Sequence, residues 1–246
     1  DRNISFNRPA MHMVFTGNPG TAKTTVARLF AQIMKENGLL SKGDLYEVGR
    51  ADLVGKYVGH TAPLVRQAFK KARGSVLFID EAYSLVEKEG LYGDEAINTI
   101  VQEMENKRDD IIVIFAGYPN EMEKFLNKNP GLHSRIAFHI PFEDYSSDEL
   151  CDIAKKIASS RGLSLSNDAV CKLDGIFTDA RKNSYFGNGR YARNLIEKAQ
   201  IAQTNRLLKG DVDNINDDML STITAEDIEI PKMHCETTKI KIGFAL

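Results

Sequence analysis

The stretch of this chain best equipped for chemistry is Gly17-Asn18-Pro19-Gly20-Thr21-Ala22-Lys23-Thr24-Thr25. Glycines let a backbone turn successive N–H groups toward one point and form an anion nest, and a helix starting there adds partial positive charge. Lys23 would reach the β- and γ-phosphates of ATP, and the Thr24 hydroxyl would sit on Mg²⁺. The whole run, Gly17 through Thr25, is therefore a candidate phosphate cradle. Ala22 stands where G-x-x-x-x-G-K-[ST] has its last glycine. A residue entering the first helical turn can be right-handed, where alanine is comfortable, so the cradle is expected to survive.

A second chemical group closes the apolar run Ser75-Val76-Leu77-Phe78-Ile79 with Asp80-Glu81. Such a run reads as a strand buried on both faces, and its end falls at the edge where parallel sheets bind ligands. Asp80, with Thr24, would hold Mg²⁺ directly or through water, while Glu81 would orient and activate the attacking water. Taken alone, an Asp-Glu pair also reads as a helix cap.

The elements that must position these groups alternate. A strand over 13–15 precedes the glycine loop. A helix follows from Thr24, with Val26, Ala27, Phe30, Ile33 and Met34 along one face. Further strands are expected over 45–48, 76–79, 111–116 and 136–140, the last closed by Pro141. Helices are expected from near Thr61, with Pro63 in the first turn, over 94–105 and over 121–127. The alternation predicts an α/β domain, a parallel sheet covered on both faces, spanning 1–144. From Tyr145 the strands cease. Ser146-x-x-Glu149 is a capping box, a second helix follows Ser166, and a third follows Gly187-Asn188-Gly189. This small α-helical lobe takes 145–210. The remainder, 211–246, reads as an acidic linker (Asp211, Asp213, Asp217, Asp218) and a tail. There Ile240, Ile242 and Phe244 alternate like a short strand.

Composition narrows the function classes. The 246 residues carry 42% apolar and 27% charged side chains at net charge −2, without the basic excess that nucleic-acid binding favours. No apolar run approaches the ~18 residues of a membrane span and no signal peptide opens the chain, so a cytoplasmic location is expected. Cys151, Cys171 and Cys235 are far apart and read as plain thiols.

A P-loop, an Asp-Glu strand end and a trailing helical lobe together resemble the AAA+ ATPases. Five segments look more narrowly like the CbbX/CfxQ family, which groups red-type Rubisco activases, stage V sporulation protein K and the ATPase half of EccA. They are residues 45–63 (Leu-Tyr-Glu-Val-x-Arg-Ala-Asp-Leu-Val-Gly-Lys-Tyr-Val-Gly-His-Thr-Ala-Pro), 76–83, Ala116-Gly117-Tyr118-Pro119, Asn129-Pro130-Gly131-Leu132-x-Ser134-Arg135, and Gly187-Asn188-Gly189-Arg190-Tyr191-x-Arg193-Asn194.

The resemblance implies an ATP- and Mg²⁺-dependent ring, usually a hexamer of identical subunits that share ATP sites and pull on a protein client. It makes Lys56-Tyr57-Val58 the pore loop, with Tyr57 as the gripping aromatic. A glycine-flanked ring offering apolar grip suits that role. It makes Arg135 the arginine finger and Arg190 the sensor-2 arginine. Arg193 is the runner-up at the nucleotide, or else a surface partner of Glu197 one turn on. The sensor-1 position falls at Tyr118, with Asn120 as the alternative. The family also has residues upstream of the P-loop strand that close over the adenine, whereas only residues 1–12 precede that strand here. The resemblance therefore implies either a piece of a longer protein or altered nucleotide affinity and ring assembly. Three functions follow in order: a protein remodeller, a nucleotide-switched scaffold, and a nucleic-acid translocase. The last is disfavoured by the acidic balance and the aromatic pore loop. The client itself is not legible.

Overall fold

The computed structural model describes residues 10–86, 91–183, 186–209 and 216–230, with backbone alone at 91–92. The chain divides into two compact units, residues 1–145 with 185–190, and residues 146–184 with 191–246.

The first unit is built on five parallel strands: β1 (Met13–Gly17), β2 (Leu45–Val48), β3 (Val76–Ile79), β4 (Ile112–Gly117) and β5 (Phe138–Phe142), in the order β2-β3-β4-β1-β5. The central strands β3 and β4 are buried along their whole length, as their unbroken apolar sequence requires. Side chains alternate across them. Val14, Leu77, Ile79, Val113 and Phe115 pack on one face with Leu53 of α2 (Arg50–Leu53), Val65 and Phe69 of α3 (Thr61–Lys71), Ile97, Ile100 and Met104 of α4 (Leu91–Asn106), Phe125 of α5 (Pro119–Lys128) and Leu132 of α6 (Pro130–His133). Met13, Phe15, Val76, Phe78, Ile112 and Ile114 pack on the other with Ala27 and Ala31 of α1 (Lys23–Glu36). Both faces of the central strands are covered, which leaves their ends open for ligands. Buried His12 tightens the β1–β4 pairing by accepting the Val113 N–H at Nδ1. Burial pushes its imidazole down to about 4, so the ring stays neutral.

Two local expectations shift. Helix α1 meets the sheet through Ala27 and Ala31; Phe30 and Met34 are half-buried, while Val26 and Ile33 are 40% and 50% exposed. Small side chains bring the helix axis close to the sheet, and the larger apolar residues are turned to its flanks. The last strand runs Phe138–Phe142 and includes Pro141 rather than stopping before it. β5 is an edge strand, and an edge tolerates proline because one side of its ladder has no partner.

The second unit holds α7 (Ser147–Ser159), α8 (Asn167–Ala180) and most of α9 (Asn188–Lys209). Both halves of the capping box form: Glu149 N–H donates to Ser146 Oγ at 3.2 Å, and Ser146 N–H donates to Glu149 Oε2 at 2.8 Å. Residues 217–230, read above as part of the linker and tail, fold with this unit. Helix α10 (Asp217–Ser221) leads to β7 (Thr222–Ile223), which pairs with β6 (Ser164–Leu165). Buried Asp227 receives Arg206 through two bonds, Nε–Oδ1 at 2.7 Å and Nη2–Oδ2 at 2.9 Å. Composition alone could not separate a solvated acidic run from one carrying an ion-pair anchor. The alternating residues 240–244, Asp211, Asp213 and Cys235 lie outside the described residues. Of the other thiols, Cys151 is buried and Cys171 exposed.

Candidate active site

The loop over 18–22 leaves β1 at Gly17 and enters α1 at Lys23. A side chain on Gly17 would overlap the Phe142 carbonyl, and one on Gly20 (φ 75°) would overlap the Gly187 carbonyl, so both positions need glycine. Ala22 is left-handed, with φ 65° and ψ 21°, which corrects the expectation of a right-handed residue there. The reason is geometric. The loop turns back on itself just before the helix, and position 22 must complete that turn before the helical repeat begins. No side chain caps the helix, so its first-turn N–H groups remain open to an anion. Buried Thr21 donates its hydroxyl to the Asn18 carbonyl at 2.8 Å. Lys23 Nζ donates to the Gly17 and Asn18 carbonyls at 2.7 and 2.9 Å, which lays the ammonium along the loop. Thr24 is half-buried and Thr25 exposed.

Asp80 and Glu81 follow β3 directly. β4 lies between β3 and β1, so the acidic pair stands two strand spacings from the cradle, roughly 10 Å. That gap suits phosphates and an ion. The groups feel one another: burial lowers the Lys23 pKa, Arg190 lowers it further, and Asp80 and Asp144 work against that shift. Glu81 has φ 47°, a left-handed conformation rare for a side chain of its size. It is held from both sides. Its N–H donates to Asp80 Oδ1 at 3.0 Å, and Arg50 Nη1 donates to the Ser84 and Leu85 carbonyls (2.6 and 2.9 Å), fixing the 3-10 turn Ala82–Leu85 that follows. Among the described residues no cluster of three or more His, Cys, Asp or Glu could hold a metal by itself. Mg²⁺ asks for less. It binds through one or two protein oxygens plus substrate phosphates and water, and Thr24 and Asp80 fit that donor set.

Comparison with known proteins supplies the family. Residues 13–144 match the ATPase family associated with various cellular activities (AAA), and residues 146–238 match the AAA lid domain. Stage V sporulation protein K of Bacillus subtilis (strain 168) is 47% identical over 236 residues, 94% of this chain and 72% of that protein. This chain belongs to the AAA ATPases. Within them it falls in the CbbX/CfxQ group. Protein CbbX of Cereibacter sphaeroides is 44% identical over 94% of this chain and 75% of its own length. The chloroplastic ribulose bisphosphate carboxylase/oxygenase activase of Cyanidioschyzon merolae is 44% identical over 92% of this chain and 78% of its own. The crystal structure of the FIGL-1 AAA domain in complex with ADP shares the fold at a TM-score of 0.61, with 20% identity over 89% of this chain and 70% of that one.

The remaining candidate residues of this AAA ATPase lie at four places. Arg190 is exposed at the start of α9, near enough to Lys23 for the two charges to repel. Arg193 is also exposed, and its suggested partner Glu197 instead receives Arg161 Nη2 at 2.6 Å. Arg135 is not at the cradle. It precedes β5, at the amino edge of the sheet, with Nε 3.2 Å from Glu105 Oε2 and Nη1 donating to the Gly131 carbonyl at 3.0 Å. Lys56, Tyr57 and Val58 form an exposed turn, with Tyr57 67% and Val58 84% accessible. The Tyr57 and His60 rings meet edge to face at 5.4 Å, and His60 N–H closes the turn onto the Tyr57 carbonyl. Tyr118 stands at the N-cap position of α5 without a side-chain cap and Asn120 is exposed in its first turn, both just past the end of β4.

Sequence reading missed Arg50, Asp144 and Asn188. Nothing in local pattern marks Arg50 or Asp144, whose partners lie far along the chain. Asn188 did carry a signal: an asparagine between two glycines favours left-handed backbone. Among the described residues no helix is long and apolar enough to cross a membrane.

Proposed function

We propose that this ATPase remodels a protein client, working as a ring of identical copies in which each copy completes its neighbour's ATP site. The observation that carries the reading is the place of Arg135. It sits at the amino edge of the sheet, whereas the phosphate loop leaves the carboxyl edge. Five residues of strand, roughly 16 Å, separate the two edges, further than an arginine side chain extends. Arg135 therefore serves a site on another copy, where its charge offsets that of the γ-phosphate.

Within one copy, the open N–H groups of α1 and Lys23 hold the triphosphate, and Thr24 and Asp80 hold Mg²⁺. The ion neutralises charge building between the β- and γ-phosphates. Glu81 orients the attacking water and accepts its proton, and its left-handed backbone points to a position held for that work at some cost in strain. Arg190 reads the γ-phosphate from the start of α9. The Lys56-Tyr57-Val58 turn supplies the grip on an extended polypeptide, since an exposed aromatic beside a β-branched residue binds chains with little regard to sequence. Relatives named as a ribulose bisphosphate carboxylase/oxygenase activase and a sporulation protein fit a protein client. A hexamer is the ring size we favour, by family habit.

Complementation tests this. Glu81→Gln and Arg135→Ala should each retain ATP binding and lose turnover by about 10²-fold or more. Mixing the two inactive proteins should restore ATPase activity, because intact Glu81 of one copy meets intact Arg135 of the next. Mixtures no faster than their components would remove the shared site. Wild-type turnover by Glu81→Gln alone would recast the protein as a nucleotide-switched scaffold.

A further inference from the structure

Asn188 is fully buried and left-handed at φ 45°, between two glycines that would take that conformation at no cost. Its side chain explains why an asparagine stands there. Nδ2 donates to Asp144 Oδ1 at 2.7 Å, with longer contacts to the Phe186 and Pro19 carbonyls (3.3 and 3.4 Å), and Oδ1 accepts the Tyr145 N–H at 2.9 Å. Asp144 is shared. Asn18 Nδ2 lies 3.0 and 2.9 Å from its two carboxylate oxygens. One carboxylate thus binds an asparagine of the phosphate loop and an asparagine at the start of α9. A backbone bond runs alongside, from Gly189 N–H to the Gly20 carbonyl at 3.1 Å.

All of these residues belong to the first unit, and they fall at its seams. The chain leaves that unit after Tyr145, next to Asp144, and leaves it again after Arg190, two residues past Asn188. Both crossings are therefore clipped to the phosphate loop by one polar node.

We propose that Asp144, Asn188 and Asn18 are positioning residues that fix Arg190 relative to the phosphate loop, so that the loop's occupancy sets where Arg190 sits. The inference rests on the ATP-binding reading of the loop. Hydrogen bonds to a carboxylate are stronger and more directional than those between neutral groups, so the node resists small displacements of either segment. Phosphates entering the loop engage the backbone of residues 18–22, the same stretch that Asn188 and Gly189 touch through the Pro19 and Gly20 carbonyls. A shift there is delivered to the first turn of α9 directly by the Gly189–Gly20 backbone bond and alongside it by the buried Asn188 side chain.

The test is a double-mutant cycle on the full chain, with ATP and ADP as probes. Asn188→Gly removes the amide while suiting the left-handed backbone, and Asn18→Ala removes the loop's arm without touching the buried position. Each should lower kcat about tenfold, or 1.4 kcal/mol, and Asn188→Gly, which lies outside the cradle, should leave KM for ATP and the Kd for ADP within about threefold of wild type. In an Arg190→Ala background the same substitutions should cost nothing further. A general loss of structure would instead raise the ADP Kd and persist without Arg190. Wild-type kcat in both node variants, or an undiminished penalty in the Arg190→Ala background, overturns the proposal. Should Asn188→Gly not fold, Asn18→Ala carries the same cycle. Calorimetry on the wild type separates the two levels: no ATP binding there removes the site itself, whereas normal binding with a failed cycle removes only the node.

Discussion

Ala22→Gly should stabilise this protein, because position 22 is the left-handed N-cap of α1, where glycine is favoured over alanine. Ala22 is held at φ 65° and ψ 21°, and left-handed backbone costs a residue with a Cβ about 1–2 kcal/mol. Glycine removes that cost, but it adds about 0.4–1 kcal/mol of unfolded-chain entropy. The difference leaves about 1 kcal/mol in favour of the variant, or about 3 °C in Tm for a unit of this size. Gly20→Ala is the opposite control, because its new side chain would overlap the Gly187 carbonyl at φ 75° and should lower Tm. Thermal unfolding followed by circular dichroism without nucleotide reads both. If Ala22→Gly melts at or below wild type, position 22 is right-handed in solution and the loop is not as described. The distinction bears on function as well. A strained loop residue at the phosphate site can relax when the loop engages an anion, so the variant should narrow the Tm gain that ATP confers.

Two further outcomes follow. Arg206→Ala should destabilise the helical unit by about 3 kcal/mol in urea unfolding, since it strands a buried carboxylate. Burial would raise the Asp227 pKa, but the Arg206 and Thr224 hydrogen bonds outweigh it and hold the group below its ordinary value. A depressed carboxyl stabilises fully above about 3.9, and that contribution is lost as pH falls through the lower folded value. Wild type and Arg206→Ala should therefore converge in strong acid, and a stability gap that persists there would contradict this. Tyr57→Ala should keep ATPase turnover within about twofold while abolishing work on a protein client, because the 67% exposed ring touches nothing at the cradle. Loss of both activities together would assign the turn a structural task.

The two ends of the proposed chemistry were legible in the sequence because each is written locally. Lys23 and Thr24 follow a glycine loop, and Asp80 and Glu81 end an apolar run; strand period and turn chemistry are short-range properties, so the cradle, the acidic edge and the α/β alternation could be read without coordinates. Family likeness singled out Arg135, whose own neighbourhood carries no signal, and Tyr57, whose flanking glycines only suit the role it was given. Tertiary structure decided the rest. The strand order put β4 between the cradle and the acidic pair, and so set the gap that a nucleotide must fill. It also turned Val26 and Ile33 outward, because Ala27 and Ala31 let the helix approach more closely than a helical-wheel reading allows. The left-handed backbone at Ala22 and Glu81 came from the path the chain must take between a strand end and the next helix, which propensity cannot report. Asp144 and Asn188 are the sharpest case. They meet across 44 positions of sequence, and a hydrogen bond between distant residues leaves no trace in the pattern around either one. What is periodic or contiguous can be read along a single chain; what depends on where separate segments meet exists only once the chain has folded.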